Sequence, residues 1–210
     1  TDELVELATD PERRQEALRW RVLGLAHSGK HWEAFEALIE LADYALANET
    51  ETASSGLEAV ERELSVRGDR WIQGQLQRLY QGADSATQAR MAAEIELRLE
   101  DVLTENNTQK LRAFLNLFGF HSASSAARLA LAERLITSDA LLEAELQAGV
   151  LVDSPDRNVA AAAHAVLAAL YAKGRRYDLA ARQYARLGSD FADVVCRHGK
   201  TGKQLLDAAR

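Results

Sequence analysis

The stretch DRNVAAAAHAVLAALYAK, residues 156–173, constrains the fold more than any other part of the chain. At 3.6 residues per turn it is apolar almost all round, with His164 its one interior polar residue. Such a helix has to be covered on several sides, as it is inside a stack of helical pairs. Asp153 or Ser154 ahead of Pro155 marks its start. The remaining sequence is built from similar material. Hydrophobic residues make up 47% and aromatic residues 6% of the chain, so the core is mostly Ala, Leu and Val, which suits close helix packing. Only Pro11 and Pro155 stand in the way of long helices.

Helical periodicity runs through nearly the whole chain. In residues 85–105, Ala92, Ile95, Leu99, Val102 and Leu103 fall on one stripe, with Ser85 as N-cap. In 108–121, Leu111, Phe114, Leu115 and Phe118 form a buried face and Gly119 a stop. Further helices are predicted near 11–27, 32–47, 56–66, 69–81, 123–137, 139–150, 156–173 and 177–187. Strand-like alternation is absent until FADVVC at 191–196. The class is all-α.

The unit HAVLAALYAKGRRYDLAARQYARLG, residues 164–188, sets Leu167, Ala168 and Tyr171 on one helix. Gly174 ends that helix, and Tyr177, Ala180, Tyr184 and Leu187 line the next. A weaker copy lies 36 residues earlier in 128–151, with Leu131, Ala132, Leu135, Leu141, Ala144 and Leu151. A third spans 18–41, with Leu25, Gly29, Ala34, Leu38 and Leu41. These units resemble the tetratricopeptide repeat, over about half the chain. The resemblance implies a right-handed α-solenoid of antiparallel helix pairs over 1–189, with sub-units 1–50, 51–122 and 123–189. A short strand-like segment, 190–210, then leads to a following module. From Phe120 onward the chain is also similar to helical regions of large bacterial proteins of the planctomycete type. Those proteins carry β-propeller repeats of the pyrroloquinoline-quinone-enzyme kind. VVCRHGKTGKQLL, residues 194–206, matches the strand, turn and second apolar run of a propeller blade. It departs from the blade pattern in having Arg197-His198-Gly199 before the turn.

Charge and composition exclude several classes. The formal charge is −7 and no basic face is evident, so nucleic acid is not a partner. The single Cys196 forbids an internal disulfide. No apolar run approaches the ~20 residues that span a bilayer. The chain opens on TDELVEL without Met and reads as a piece of a longer protein, with bacterial cytoplasm and periplasm both open.

Motifs that suggest chemistry have structural readings. A phosphate loop needs glycine five residues before Gly199-Lys200-Thr201, where Val194 stands; a β-turn with Gly202 at positive φ fits better. His27 and His31 are four apart, but Gly29 between them ends a helix. His164 reads as a core histidine bonded to a backbone carbonyl, and Cys196 beside His198 lacks a third orienting group. Glu94, Glu96, Glu100 and Asp101 alternate with Arg90 and Arg98 as a solvated face. DSPDRN lacks the glycine and glutamate of a calcium loop. Asn48-Glu49-Thr50 and Asn106-Asn107-Thr108 match the glycosylation tripeptide by chance spacing. Trp20, Trp32 and Trp71 are read as staples between helices.

The sequence therefore points to a non-catalytic helical-repeat module that holds another protein, or another domain of its own chain. No catalytic residue, cofactor or metal is expected. The interaction face of the last unit comprises Ala162, Ala165, Ala169, Ala172 and Lys173. An architectural spacer attached to a propeller enzyme or sensor is the alternative, and an all-α enzyme centred on His164 a third.

Overall fold

The computed structural model describes residues 11–47, 57–61 and 64–209. Among them the chain is mostly helical. The helices are α1 (Pro11–His27), α2 (His31–Ala47), α3 (Gly68–Gly82), α4 (Ser85–Thr104), α5 (Thr108–Phe118), α6 (Ser124–Thr137), α7 (Leu141–Gly149), α8 (Arg157–Lys173), α9 (Tyr177–Asp190) and α10 (Gly202–Ala208). Two short antiparallel strand pairs accompany them, β1 (Leu57–Glu61) with β2 (Leu64–Arg67) and β3 (Val195–Arg197) with β4 (Lys200–Thr201). The chain divides into two compact units, residues 1–98 with 116–121, and residues 99–115 with 122–210.

In the first unit α1 packs on α2 and α2 on α3. Leu18 and Val22 of α1 meet an apolar α2 whose Ala34, Phe35, Leu38 and Leu41 are all buried. The β1–β2 pair, with Leu57 opposite Arg67, corrects the expectation of a helix over 56–66 and of no strand before 191. An apolar run this short fits either period, and the β-branched Val60 and Val66 favour the strand. The first part of α4 buries Met91 and Ile95. Its cap is Asp84 rather than Ser85: the Asp84 carboxylate accepts the N–H groups of Ala86 and Thr87 at 3.0 Å each and the Thr87 hydroxyl at 2.7 Å. Those bonds hold the Asp84 carboxyl below its usual range. Asn48 lies outside the described residues.

In the second unit α6 packs on α7, α8 on α9, and α8 also against α6, α7 and β3. That covering is what the all-round apolar α8 demands, and ten of its residues, from Ala160 to Tyr171, are buried. Its N-cap is Asp156, whose carboxylate accepts from Asn158 and Val159, not Asp153 or Ser154. Tyr177, placed by the repeat pattern on a packed face, is 67% exposed.

The joints between paired helices share one geometry. At 27–30, Gly29 has φ 72°, its N–H donates to Ala26, and Lys30 N–H donates to Leu25. At 137–140, Asp139 has φ 65°, donating to Ile136, and Ala140 donates to Leu135. At 173–176, Arg175 has φ 58°, donating to Ala172, and Arg176 donates to Tyr171. Each is a left-handed helix end closed by a bond from the following residue to the carbonyl five residues back. At the third joint the left-handed residue is Arg175, one past Gly174.

The C-terminal segment differs from expectation. The turn is His198-Gly199, with φ 50° and 73°, the two-residue geometry that joins tightly twisted strands. Gly202 opens α10 instead of sitting at positive φ, so the second apolar run is a helix and not the second strand of a blade. Thr201 caps that helix in a capping box: Gln204 N–H donates to Thr201 Oγ1 at 3.3 Å and Thr201 N–H to Gln204 Oε1 at 2.9 Å. The threonine of Gly-Lys-Thr is thus engaged in starting a helix. Gly202 N–H donates to Val194 O and Lys203 N–H to Ala192 O, which fixes α10 beneath α9.

Candidate functional site

In the second unit α6, α8 and β3 surround an open groove of about 510 Å³. Leu129 and Ala130 of α6 and Ala162 and Val166 of α8 give it an apolar floor. Glu133, Arg134 and Thr137 continue the α6 side at helical spacing from Ala130, and Cys196, Arg197 and His198 close the end. Alanine at 130 and 162 leaves the space that larger side chains would fill.

Polar bonds hold the rim. Arg197 Nε and Nη2 donate to the two oxygens of Glu133, both at 2.6 Å, a bidentate fork that ties β3 to α6. Arg134 Nη2 donates to Leu103 O at 2.9 Å and Nη1 to Asn107 O at 3.3 Å. Those acceptors are neutral backbone carbonyls, and exposed His198 at the hairpin tip lines the same groove. Cys196 donates its thiol hydrogen to Val194 O at 3.0 Å, and burial pushes the thiol pKa up, which suppresses thiolate chemistry.

The five residues of the anticipated face fall in different places. Ala162 lines the groove. Ala165 is buried with Ala168 and Leu187 under Tyr184, Phe191, Cys196 and Leu205, so the chain's own elements cover it. Ala169 and Ala172 are half-buried. Lys173 donates from Nζ to Ile136 O and, at 3.4 Å, to Thr137 O, and lies 3.5 Å from Asp139, so it caps the end of α6.

Other sequence candidates find structural partners. His164 is 2% exposed. Its Nδ1 meets the Gln183 side chain at 2.7 Å instead of a backbone carbonyl. Its Nε2 has no partner, and its ring lies 5.5 Å from that of Phe191. His27 and His31 flank the Gly29 joint. Trp32 carries Arg90 at 3.8 Å over its ring and Trp71 carries Arg19 at 5.3 Å, whereas Trp20 is 63% exposed. A smaller groove of about 370 Å³ in the first unit runs past Trp32 and several carboxylates. Arg98 binds Glu94 at 2.9 Å and Asp43 at 3.5 Å there, as a solvated ion-paired face would. Among the described residues no group of three or more His, Cys, Asp or Glu side chains is placed to hold a metal ion. No described helix is long and apolar enough to cross a membrane.

The rim residues Glu133, Arg134 and Arg197 are not among the site candidates that the sequence offers. Glu133 and Arg197 meet across 64 positions, and no local pattern links them. Comparison with protein-family models, with curated proteins and with solved structures finds no match to this chain.

Proposed function

We propose that the second unit is a non-catalytic protein-interaction module, a right-handed solenoid of antiparallel helix pairs of the tetratricopeptide kind. It holds a segment of another protein, or of another domain of the parent chain, in the groove between α6 and α8. The groove itself carries the reading: small apolar residues on the first helix of each pair leave a channel whose rim is fixed by the Glu133–Arg197 fork. The recurrence of one joint geometry at Asp139 and Arg175, the 36-residue offset of the sequence repeat, supports the repeat assignment. Arg134 and His198 at the rim favour an acidic segment with small apolar anchors.

Selection from a displayed peptide library on the purified chain tests this. Acidic peptides with Ala, Val or Leu anchors are the expected winners. Ala162→Trp, which fills the channel, weakens them at least tenfold while the melting temperature stays within a few degrees. Failure to enrich any peptide, or equal binding by the Ala162→Trp protein, refutes the reading and leaves the spacer role.

A further inference from the structure

Arg197 has more donors than its fork with Glu133 uses. The fork takes one N–H from Nε and one from Nη2. A guanidinium has five N–H groups, so both on Nη1 and one on Nη2 remain. Among the described residues they meet no acceptor. These N–H groups form the second edge on which a guanidinium can grip a carboxylate with two parallel bonds. The side chain keeps 24% of its surface exposed and lines the groove between α6 and α8. Two other arginines show what is particular to it. Arg112 makes the same fork with Glu143 but does not line this groove. Arg134 does line it, but both its Nη groups already donate to backbone carbonyls.

We infer that Arg197 sets the specificity of the groove: its Nη1–Nη2 edge takes the side-chain carboxylate of an Asp or Glu in the bound segment. The inference rests on the groove being a peptide site, as proposed above. Charge selects a carboxylate over a neutral group. Glu133, Arg134 and Arg197 carry one negative and two positive charges on the groove wall, and one further carboxylate brings that wall to neutrality. Orientation favours it too. The bonds to Glu133 already hold the guanidinium in one plane, so little rotamer freedom is lost when a second carboxylate arrives. The floor of Leu129, Ala130, Ala162 and Val166 has no side-chain donor. The acidic residue is therefore held at the Arg197 end, and its small apolar neighbours lie along the floor.

Titration calorimetry with matched peptides tests this. The probe is the tightest peptide from the displayed-library selection, made with an amidated C-terminus, and a set in which each Asp or Glu is changed singly to Asn or Gln. One such change weakens binding to the wild-type chain about tenfold or more, the scale of a charge-assisted bidentate pair. In Arg197→Gln the same change costs about twofold or less, because the group it met is gone. Arg197→Lys keeps the charge without the fork and retains only part of the discrimination. A purely structural role for Arg197 would weaken acid and amide peptides alike. Equal sensitivity to the amide change in wild type and Arg197→Gln overturns the inference and leaves the groove reading standing. So does a selected peptide that binds only with a free C-terminal carboxylate. A selection that enriches no peptide sinks both.

Discussion

Replacing Gly202 by alanine tests how the C-terminal segment is joined to the second unit. A β-carbon there would press inside van der Waals contact on the carbonyl oxygens of Leu187 and Phe191 and stand 2.9 Å from the Phe191 carbonyl carbon. All three obstacles are backbone atoms at the end of α9, which no side-chain rotation can relieve. The start of α10 has to move by about an ångström, which adds roughly 1–3 kcal/mol of overpacking. The same movement strains the bonds from Gly202 to Val194 at 3.0 Å and from Lys203 to Ala192 at 3.2 Å, each contributing about 1 kcal/mol. The sum, roughly 3–5 kcal/mol, corresponds to a drop of about 6–20 °C in melting temperature for a chain of this size. Gly188 supplies the control. A β-carbon at Gly188 meets only the side chain of Leu206, which can swing aside, so Gly188→Ala costs about 1 kcal/mol or less. Calorimetry compares the two, and hydrogen exchange shows whether the amides of α9 and α10 lose protection in Gly202→Ala. A Gly202→Ala protein as stable as the Gly188→Ala one would refute the packing described for α10.

Three further outcomes follow from the same structure. Ala165→Asp places an unpaired carboxylate in the cluster under Tyr184 and Phe191 and lowers stability by roughly 3–5 kcal/mol, whereas Ala162→Asp in the open groove changes it by less than about 1 kcal/mol in a thermal melt. His121 is buried edge-on to Tyr80, and burial depresses its imidazole pKa, partly opposed by Glu96. The folded state therefore binds that proton more weakly than the unfolded chain, and the contribution is present above about pH 6.5 and lost as pH falls below it. The fall in melting temperature between pH 7 and pH 5 should shrink in His121→Phe. Arg175 holds φ 58° at a helix end, so Arg175→Gly relieves a left-handed strain of about 1 kcal/mol and raises the melting temperature by a few degrees.

The elements that the sequence made legible are those with one clean stripe. Leu111, Phe114, Leu115 and Phe118 are all buried in α5, and the helix ends at Phe118 before Gly119. In α4 the buried row is Met91, Ile95 and Leu99; Ile95 and Leu99 belong to the expected stripe, Met91 does not, and Ala92, Val102 and Leu103 are only half-buried. Caps shifted by one to three residues to aspartate at 84 and 156, since the carboxylate nearest the first free N–H groups takes them. The helix that best disclosed the fold class hid the site. A helix apolar all round carries no phase, so nothing in α8 distinguished Ala162 in the groove from Ala165 under α9 and α10. Gly202 was read as a turn because glycine serves both positive φ and close approach, and the residue alone does not separate them.

The most direct measurement of the proposed role is photocross-linking from the groove. A benzoylphenylalanine placed at Ala130, on the groove floor, is compared with one at Arg182, on the exposed face of α9, in cells expressing the protein. The account predicts a discrete adduct from position 130, mapped by mass spectrometry to one acidic segment, that disappears when Ala162→Trp is added. No adduct at 130, or the same adducts from 130 and 182, would contradict it.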